Sequence, residues 1–95
     1  MRENKRQRQT MLDHFRRRMS FTAAHVAHLL GHQDTSALSD YERGEHTPSL
    51  ANALRLGIIL RVSVEFLFPV LYDGLRYEIR AEEERLAAPQ QATLF

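Results

Sequence analysis

Four short polar side chains, Thr35, Ser36, Ser39 and Asp40, flank the apolar residues Leu38 and Tyr41. Hydroxyls donate and accept hydrogen bonds and a carboxylate accepts them, but none of the four contributes much to a core. With Leu38 and Tyr41 turned inward on a helix, they become its outward positions, a face that bonds readily and has little bulk. Such a face suits close approach to another surface, for instance the base-pair edges in a DNA major groove. There the hydroxyls serve either base type, the threonine methyl meets thymine, and Asp40 accepts from cytosine N4 or acts as a negative filter. No arginine or glutamine stands on this stretch for two-point reading, except Gln33 just before it. Direct discrimination is therefore modest, and DNA shape supplies part of the remainder.

A second set with chemical potential is His25, His28 and His32, spaced three and then four apart. Three imidazoles on one helical face can hold Zn²⁺ or Ni²⁺, but His32 lies past Gly31 and structural zinc sites usually close with four ligands. A solvated face with no metal and no cofactor is the expectation. Serines, histidines and aspartates are present without a nucleophile elbow, a phosphate loop or a metalloprotease motif, so no enzyme is expected.

The elements that must position these residues are legible from Thr22 to Gly44. Val26, Ala27, Leu29 and Leu30 form a one-sided stripe of helical period, with Thr22 as side-chain cap and Gly31 as the stop. His32, Gln33, Asp34 and Thr35 make a polar turn, and Asp34 or Thr35 caps a second helix that closes at Gly44. This is a helix-turn-helix. Before it, a helix from Thr10 to about Arg18 turns Leu12, Phe15 and Met19 inward.

The chain has 95 residues, which is one small domain, and it has no cysteine. That excludes disulfides and cysteine-ligated zinc, in keeping with a reducing cytoplasm. No apolar run approaches the roughly 18 residues that span a membrane, so a soluble, cytoplasmic protein is expected. Net charge is only +1, but it is unevenly spread. Residues 1–18 carry seven basic and two acidic side chains, whereas residues 19–75 carry three basic and six acidic ones. A basic arm on a nearly neutral body follows. Residues 1–9 are expected to be flexible, and Lys5, Arg6 and Arg8 either neutralise DNA phosphates or sit in a solvated terminus.

Several segments in order carry a resemblance: Thr22, Val26-Ala27 and Leu30-Gly31; then Leu38-Ser39 and Tyr41-Glu42-Arg43-Gly44; then Pro48-Ser49-Leu50; then Leu60, Val62-Ser63-Val64 and Leu67. In this order and spacing the chain resembles the lambda-repressor-like helix-turn-helix family, also called the Xre family, over residues 12–68. The resemblance implies an all-α, five-helix domain over residues 10–68 that binds operator DNA with its third helix and usually acts as a repressor. The stretch between Gly31 and Leu38 is one residue longer than in the commonest members. Counted back from the Tyr41–Gly44 anchor, the positions that match the family's base readers are Thr35, Ser36, Ser39 and Asp40, with Gln33 alongside. The family holds the DNA backbone with the N-termini of its second and fourth helices and the loop between the third and fourth. That maps phosphate contacts onto Thr22, Arg43, His46 and Thr47. The family also pairs an arginine of the first helix with a glutamate near the end of the third, which maps onto Arg16 and Glu42. A partly buried carboxylate needs a partner, and a planar guanidinium supplies two hydrogen bonds.

Beyond Gly44, Thr47 is expected to cap a fourth helix with Pro48 in its first turn, Ser49 being the alternative cap. Leu50, Leu54, Leu56, Ile58, Ile59 and Leu60 are available for the core, and Gly57 permits a close helix approach. Many members of the family have glycine where Arg61 stands, so a less sharply left-handed turn is expected before a fifth helix capped by Ser63. Val64, Phe66, Leu67 and Phe68 complete the core. Over residues 69–87 an extra C-terminal helix places Tyr72, Leu75, Ile79 and Leu86 on a 3-4-3-4 track, with Glu82 in the remaining slot. Self-association into a homodimer is the favoured role, with packing onto the chain's own core or binding of a partner protein as alternatives. Residues 88–95 read as a frayed tail.

Overall fold

Six helices form among the described residues: α1 Leu12–Arg18, α2 Ala23–Leu29, α3 Ser36–Arg43, α4 Leu50–Leu60, α5 Val64–Leu67 and α6 Pro69–Leu94. The structure is a computed structural model that describes residues 9–94, with side chains to residue 88. It is all-α, with no strand among those residues. None of its helices is long and apolar enough to cross a membrane.

α2 and α3 are short because their sequences contain the stops. Thr22 accepts a hydrogen bond from the His25 N–H at 3.0 Å and so caps α2. Gly31 ends α2 at φ +84°, which lets the His32 N–H bond back to the Ala27 carbonyl at 3.0 Å. Gly44 ends α3 in the same way at φ +78°, with the Glu45 N–H on the Asp40 carbonyl at 2.9 Å. Both are left-handed caps that satisfy carbonyls the helix leaves open. At Gly44 a second constraint applies, since a Cβ there would lie 2.4 Å from the Gln9 Cβ.

A single core gathers Leu12 from α1, Val26 and Leu30 from α2 and just beyond it, Leu38 and Tyr41 from α3, Ala53, Leu56 and Leu60 from α4, and Leu67 and Phe68. Phe15 and Met19 pack against it from α1, as their spacing implies. α3 packs on both α1 and α2, whereas α5 bridges α4 and α6. The Met11 N–H donates to the Leu67 carbonyl at 2.8 Å and ties the start of α1 to the end of α5.

Five residues expected to face inward are on the surface, Leu29 of the α2 stripe at 48 % exposed among them. Leu50 and Ile58 are 75 % exposed, Phe66 61 % and Leu54 50 %. On α4 the buried positions are Ala53, Leu56 and Leu60, so Leu50, Leu54 and Ile58 form the opposite stripe, four residues apart. A helix this apolar has two candidate stripes, and only its neighbours choose between them.

Three local expectations also change. Ser49, not Thr47, caps α4, accepting from the Asn52 N–H at 3.1 Å, and the buried Pro48 precedes the helix. Arg61 is fully left-handed at φ 59° and ψ 44°, although it is not glycine, because the Val62 N–H must reach the Gly57 carbonyl at 3.1 Å to close α4. Ser63 stands at the start of α5, but its side chain makes no capping bond. Gly57 does serve close approach, since a Cβ there would meet the Val62 carbonyl oxygen at 3.0 Å. The final helix continues past residue 87 to Leu94, with Pro89 inside it among alanine and glutamine residues of good helix propensity.

Two substitutions test this backbone reading by thermal unfolding. Gly44→Ala should cost about 2 kcal/mol or more, through the left-handed φ and the collision with Gln9. Arg61→Gly should raise the melting temperature by a few degrees, because the strain relieved exceeds the chain entropy added.

Candidate nucleic-acid interface

The outward face of α3 has its positions set by what lies beneath it. Leu38 and Tyr41 are buried, and the Tyr41 hydroxyl accepts from Asn52 Nδ2 of α4 at 3.3 Å. Ser36 is exposed, while Thr35, Ser39 and Asp40 are half-buried. Gln33 is exposed on the turn before them. The one large side chain of α3 on this face is Arg43, which is folded onto Asp40.

At the start of α3 the two capping candidates divide the work. Thr35 occupies the capping position without a side-chain bond, and Asp34 Oδ1 accepts from the Ser36 N–H at 2.9 Å. Ser36, through its backbone N–H first and then its hydroxyl, holds the Asp34 carboxyl below the usual aspartate range, and the nearby His32 adds to the effect.

The far end of α3 is held by Arg16. Its Nε donates to Glu42 Oε2 at 2.7 Å and its Nη2 reaches Glu42 Oε1 at 3.4 Å. Nη1 donates to the Phe21 carbonyl at 3.1 Å and Nη2 to Asp13 Oδ1 at 3.0 Å. The two side chains are 13 % and 16 % exposed, so this pair is shielded from solvent. Among the described residues Arg17 bonds only to Asp13, and it is 73 % exposed, while Arg18 lies over the Phe15 ring. Thr10 adds a tie absent from the sequence-based set. It is buried, its hydroxyl donates to the Glu42 carbonyl at 3.0 Å, and the same oxygen lies 3.4 Å from the Leu12 N–H. A threonine just before a helix signals a cap, but nothing local shows that its hydroxyl reaches across to another helix.

Among the phosphate candidates, Arg43 and His46 converge on Asp40. Arg43 Nη2 donates to Asp40 Oδ1 at 2.6 Å and to Glu45 Oε1 at 3.2 Å, and His46 Nδ1 lies 3.1 Å from Asp40 Oδ2. Glu45 first, then Asp40, raise the Arg43 pKa further above its already high value. Both Asp40 oxygens are thus engaged, so a base that used Asp40 as acceptor would have to displace Arg43 or His46. Thr22 is exposed at the start of α2, and Thr47 sits with His46 beside a groove that faces α6. Lys5, Arg6 and Arg8 lie outside the described residues.

The histidines do not converge. His25 packs on Phe21 with ring centroids 4.6 Å apart, His28 is exposed, and the His32 ring is 6.5 Å from that of Tyr41. Among the described residues no group of three or more histidines, cysteines or carboxylates is placed to hold a metal ion. Tyr72, Leu75, Ile79 and Leu86 share one face of α6, each about half exposed. In comparisons with known proteins, no family model and no curated protein matches the chain.

Two measurements probe these contacts. Arg16→Ala should lower stability by about 2–3 kcal/mol, roughly 10 °C or more in melting temperature, because Glu42 is left without its cation. Arg17→Ala should leave the melting temperature nearly unchanged, and equal losses would remove the pairing from the account. The depressed carboxyl of Asp34 contributes stability above the ordinary aspartate pKa, about 4, and that contribution is lost as pH falls through the lower folded value. Asp34→Asn should therefore flatten the acid limb of a plot of melting temperature against pH.

Proposed function

We propose that the chain is a sequence-specific DNA-binding regulator with a lambda-repressor-like helix-turn-helix domain, most simply a repressor that occupies an inverted-repeat operator as a homodimer. The observation that carries this reading is α3. It is a short helix locked at its C-terminal end by Arg16 and Thr10, with Ser36 open to solvent, small polar side chains at Thr35 and Ser39, and Arg43 tied to Asp40 and Glu45. A helix of that kind can approach base edges closely, and its hydroxyls can bond there. Thr35, Ser36 and Ser39 are the assigned base readers together with Gln33. Arg43, His46, Thr47 and Thr22 are assigned to phosphates, and the basic residues Lys5, Arg6 and Arg8 supply further charge. Occupation of an operator needs no catalysis, metal or cofactor, and it places the protein in the cytoplasm with the DNA it reads.

The local electrostatics shape how such binding works. Asp34, Asp40 and Glu45 surround the face, so Arg43 reaches a phosphate by exchanging one anion for another. Grip from this region is weak, and a larger share falls to the arm and to dimerisation.

A second reading is supported by the apolar surface on Leu50, Leu54, Ile58, Phe66 and α6: a protein-interaction module, antitoxin-like, whose C-terminal segment covers a partner while the body binds DNA.

Selection from random-sequence duplexes, followed by gel shift, should enrich a palindrome with half-sites about one helical turn apart. Thr35→Ala or Ser36→Ala should relax base preference, while Arg43→Ala should weaken all duplexes alike and reduce the salt slope by about one. Failure to bind any duplex at low salt would end the regulatory reading. Removal of the last twelve residues with no change in DNA binding or in the dimeric state would favour the partner-covering role for that segment.

A further inference from the structure

α6 leaves the body soon after it starts, and every residue from 70 to 86 is exposed. Its first turns border the body, where Leu71, Tyr72 and Leu75 line an apolar groove of about 260 Å³ with Pro48, Ala53 and Val64. The face that borders this groove continues along the helix into solvent through Ile79 and Leu86. As a seam of seven-residue repeats it has Tyr72, Ile79 and Leu86 at one set of inner positions and Leu75 and Glu82 at the other. The flanks are then Arg76 and Glu83 on one side and Glu78 and Arg85 on the other.

We infer that α6 pairs with α6 of a second copy of this chain in antiparallel orientation, with Leu75 against Leu86 of the second copy and Ile79 against its Glu82. The inference rests on the dimer in the proposed function and supplies its surface and direction. Charge decides the direction. A parallel pair would set Glu82 against Glu82 in the seam and Glu78 against Glu83 on both flanks, all like charges. An antiparallel pair sets Arg76 against Glu83 and Glu78 against Arg85, each twice by symmetry, and every flank contact is then between opposite charges. Within one chain Glu83 is paired with Arg80 at 3.3 Å and Glu82 with Arg85. Arg76 and Glu78 have no ion-pair partner among the described residues, so the second copy supplies the charges that meet them.

The groove points the same way. Leu75 and Leu86 are about 16 Å apart along the helix at 1.5 Å per residue. Antiparallel pairing brings Leu86 of the second copy to Leu75, at the mouth of the groove, and does so at both ends of the seam. Parallel pairing would leave both Leu86 side chains beyond the bodies, next to nothing but each other.

The chain has no cysteine, so single cysteines report the direction cleanly. Leu75→Cys and Leu86→Cys, both at exposed positions, are to be prepared separately, mixed while reduced and then oxidised mildly. The expected result is a cross-linked dimer from the mixture, with several-fold less from either variant alone. Leu75→Cys cross-linking to itself as readily as in the mixture overturns the orientation. So does a wild-type dimer whose mixture does not cross-link. Glu83→Arg gives an independent reading by sedimentation: it weakens an antiparallel dimer by placing arginine against Arg76, and tightens a parallel one by placing it against Glu78. A wild-type chain that sediments as a monomer at its highest soluble concentration overturns the dimer altogether. Duplex binding by the same samples is measured separately, so loss of the dimer and loss of the DNA-binding reading are told apart.

Discussion

One guanidinium holds the front of the molecule together. Arg16 bonds to Glu42 at the end of α3, to the Phe21 carbonyl in the loop before α2, and to Asp13 on its own helix. An eight-residue helix has almost no stability of its own in water, so the direction of α3 is set by its attachments. Leu38 and Tyr41 fix which face is buried. Arg16, with the Thr10 hydroxyl on the Glu42 carbonyl, fixes where the far end lies. A shielded carboxylate without that cation would leave the helix end free to swing outward, and the small polar face would lose its defined aim.

Stability and the proposed contact with DNA draw on different residues here. The shielded pair lies on the inward side of α3, whereas on its outward side Arg43 is matched locally by Asp40 and Glu45, with the His46 ring on the second Asp40 oxygen. A closed set of charges exerts little long-range pull on a polyanion. It also means that an approaching phosphate gains a cation only by replacing a carboxylate, an exchange that depends on close fit. In the proposed reader, weak attraction with tight sterics puts the weight on pairing, for which α6 is the proposed surface.

The parts legible from residue order were those whose causes lie within a few residues. Thr22, Gly31 and Gly44 act through bonds to backbone groups three to five residues away, so the ends of α2 and α3 could be read directly. Arg16 and Glu42 are twenty-six positions apart, and no local rule joins them. Their pairing entered through resemblance to a family pattern, and in the folded chain the two are in contact. Less legible was the burial of α4. Leu50, Leu54 and Ile58 are as apolar as Leu56 and Leu60, and the decision between the two stripes belongs to the core residues of α1, α2, α3 and α5 that meet Ala53, Leu56 and Leu60. The left-handed Arg61 has the same origin: the closing bond to Gly57 imposes a conformation that residue type alone argues against.

Sequence by itself determined the helical class, the approximate boundaries of α1 to α5, the inward pairing of Leu38 with Tyr41, and the uneven spread of charge. These follow from spacing and side-chain chemistry, which act locally. Only the tertiary structure decided that Asp40 is occupied by Arg43 and His46, that Thr10 spans from α1 to α3, that half of the apolar residues of α4 face solvent, and that α6 stands away from the body. Each of these depends on which elements lie next to one another. That is a property of the whole packed chain, because a side chain's partner is chosen by distance in space and not by position in the sequence.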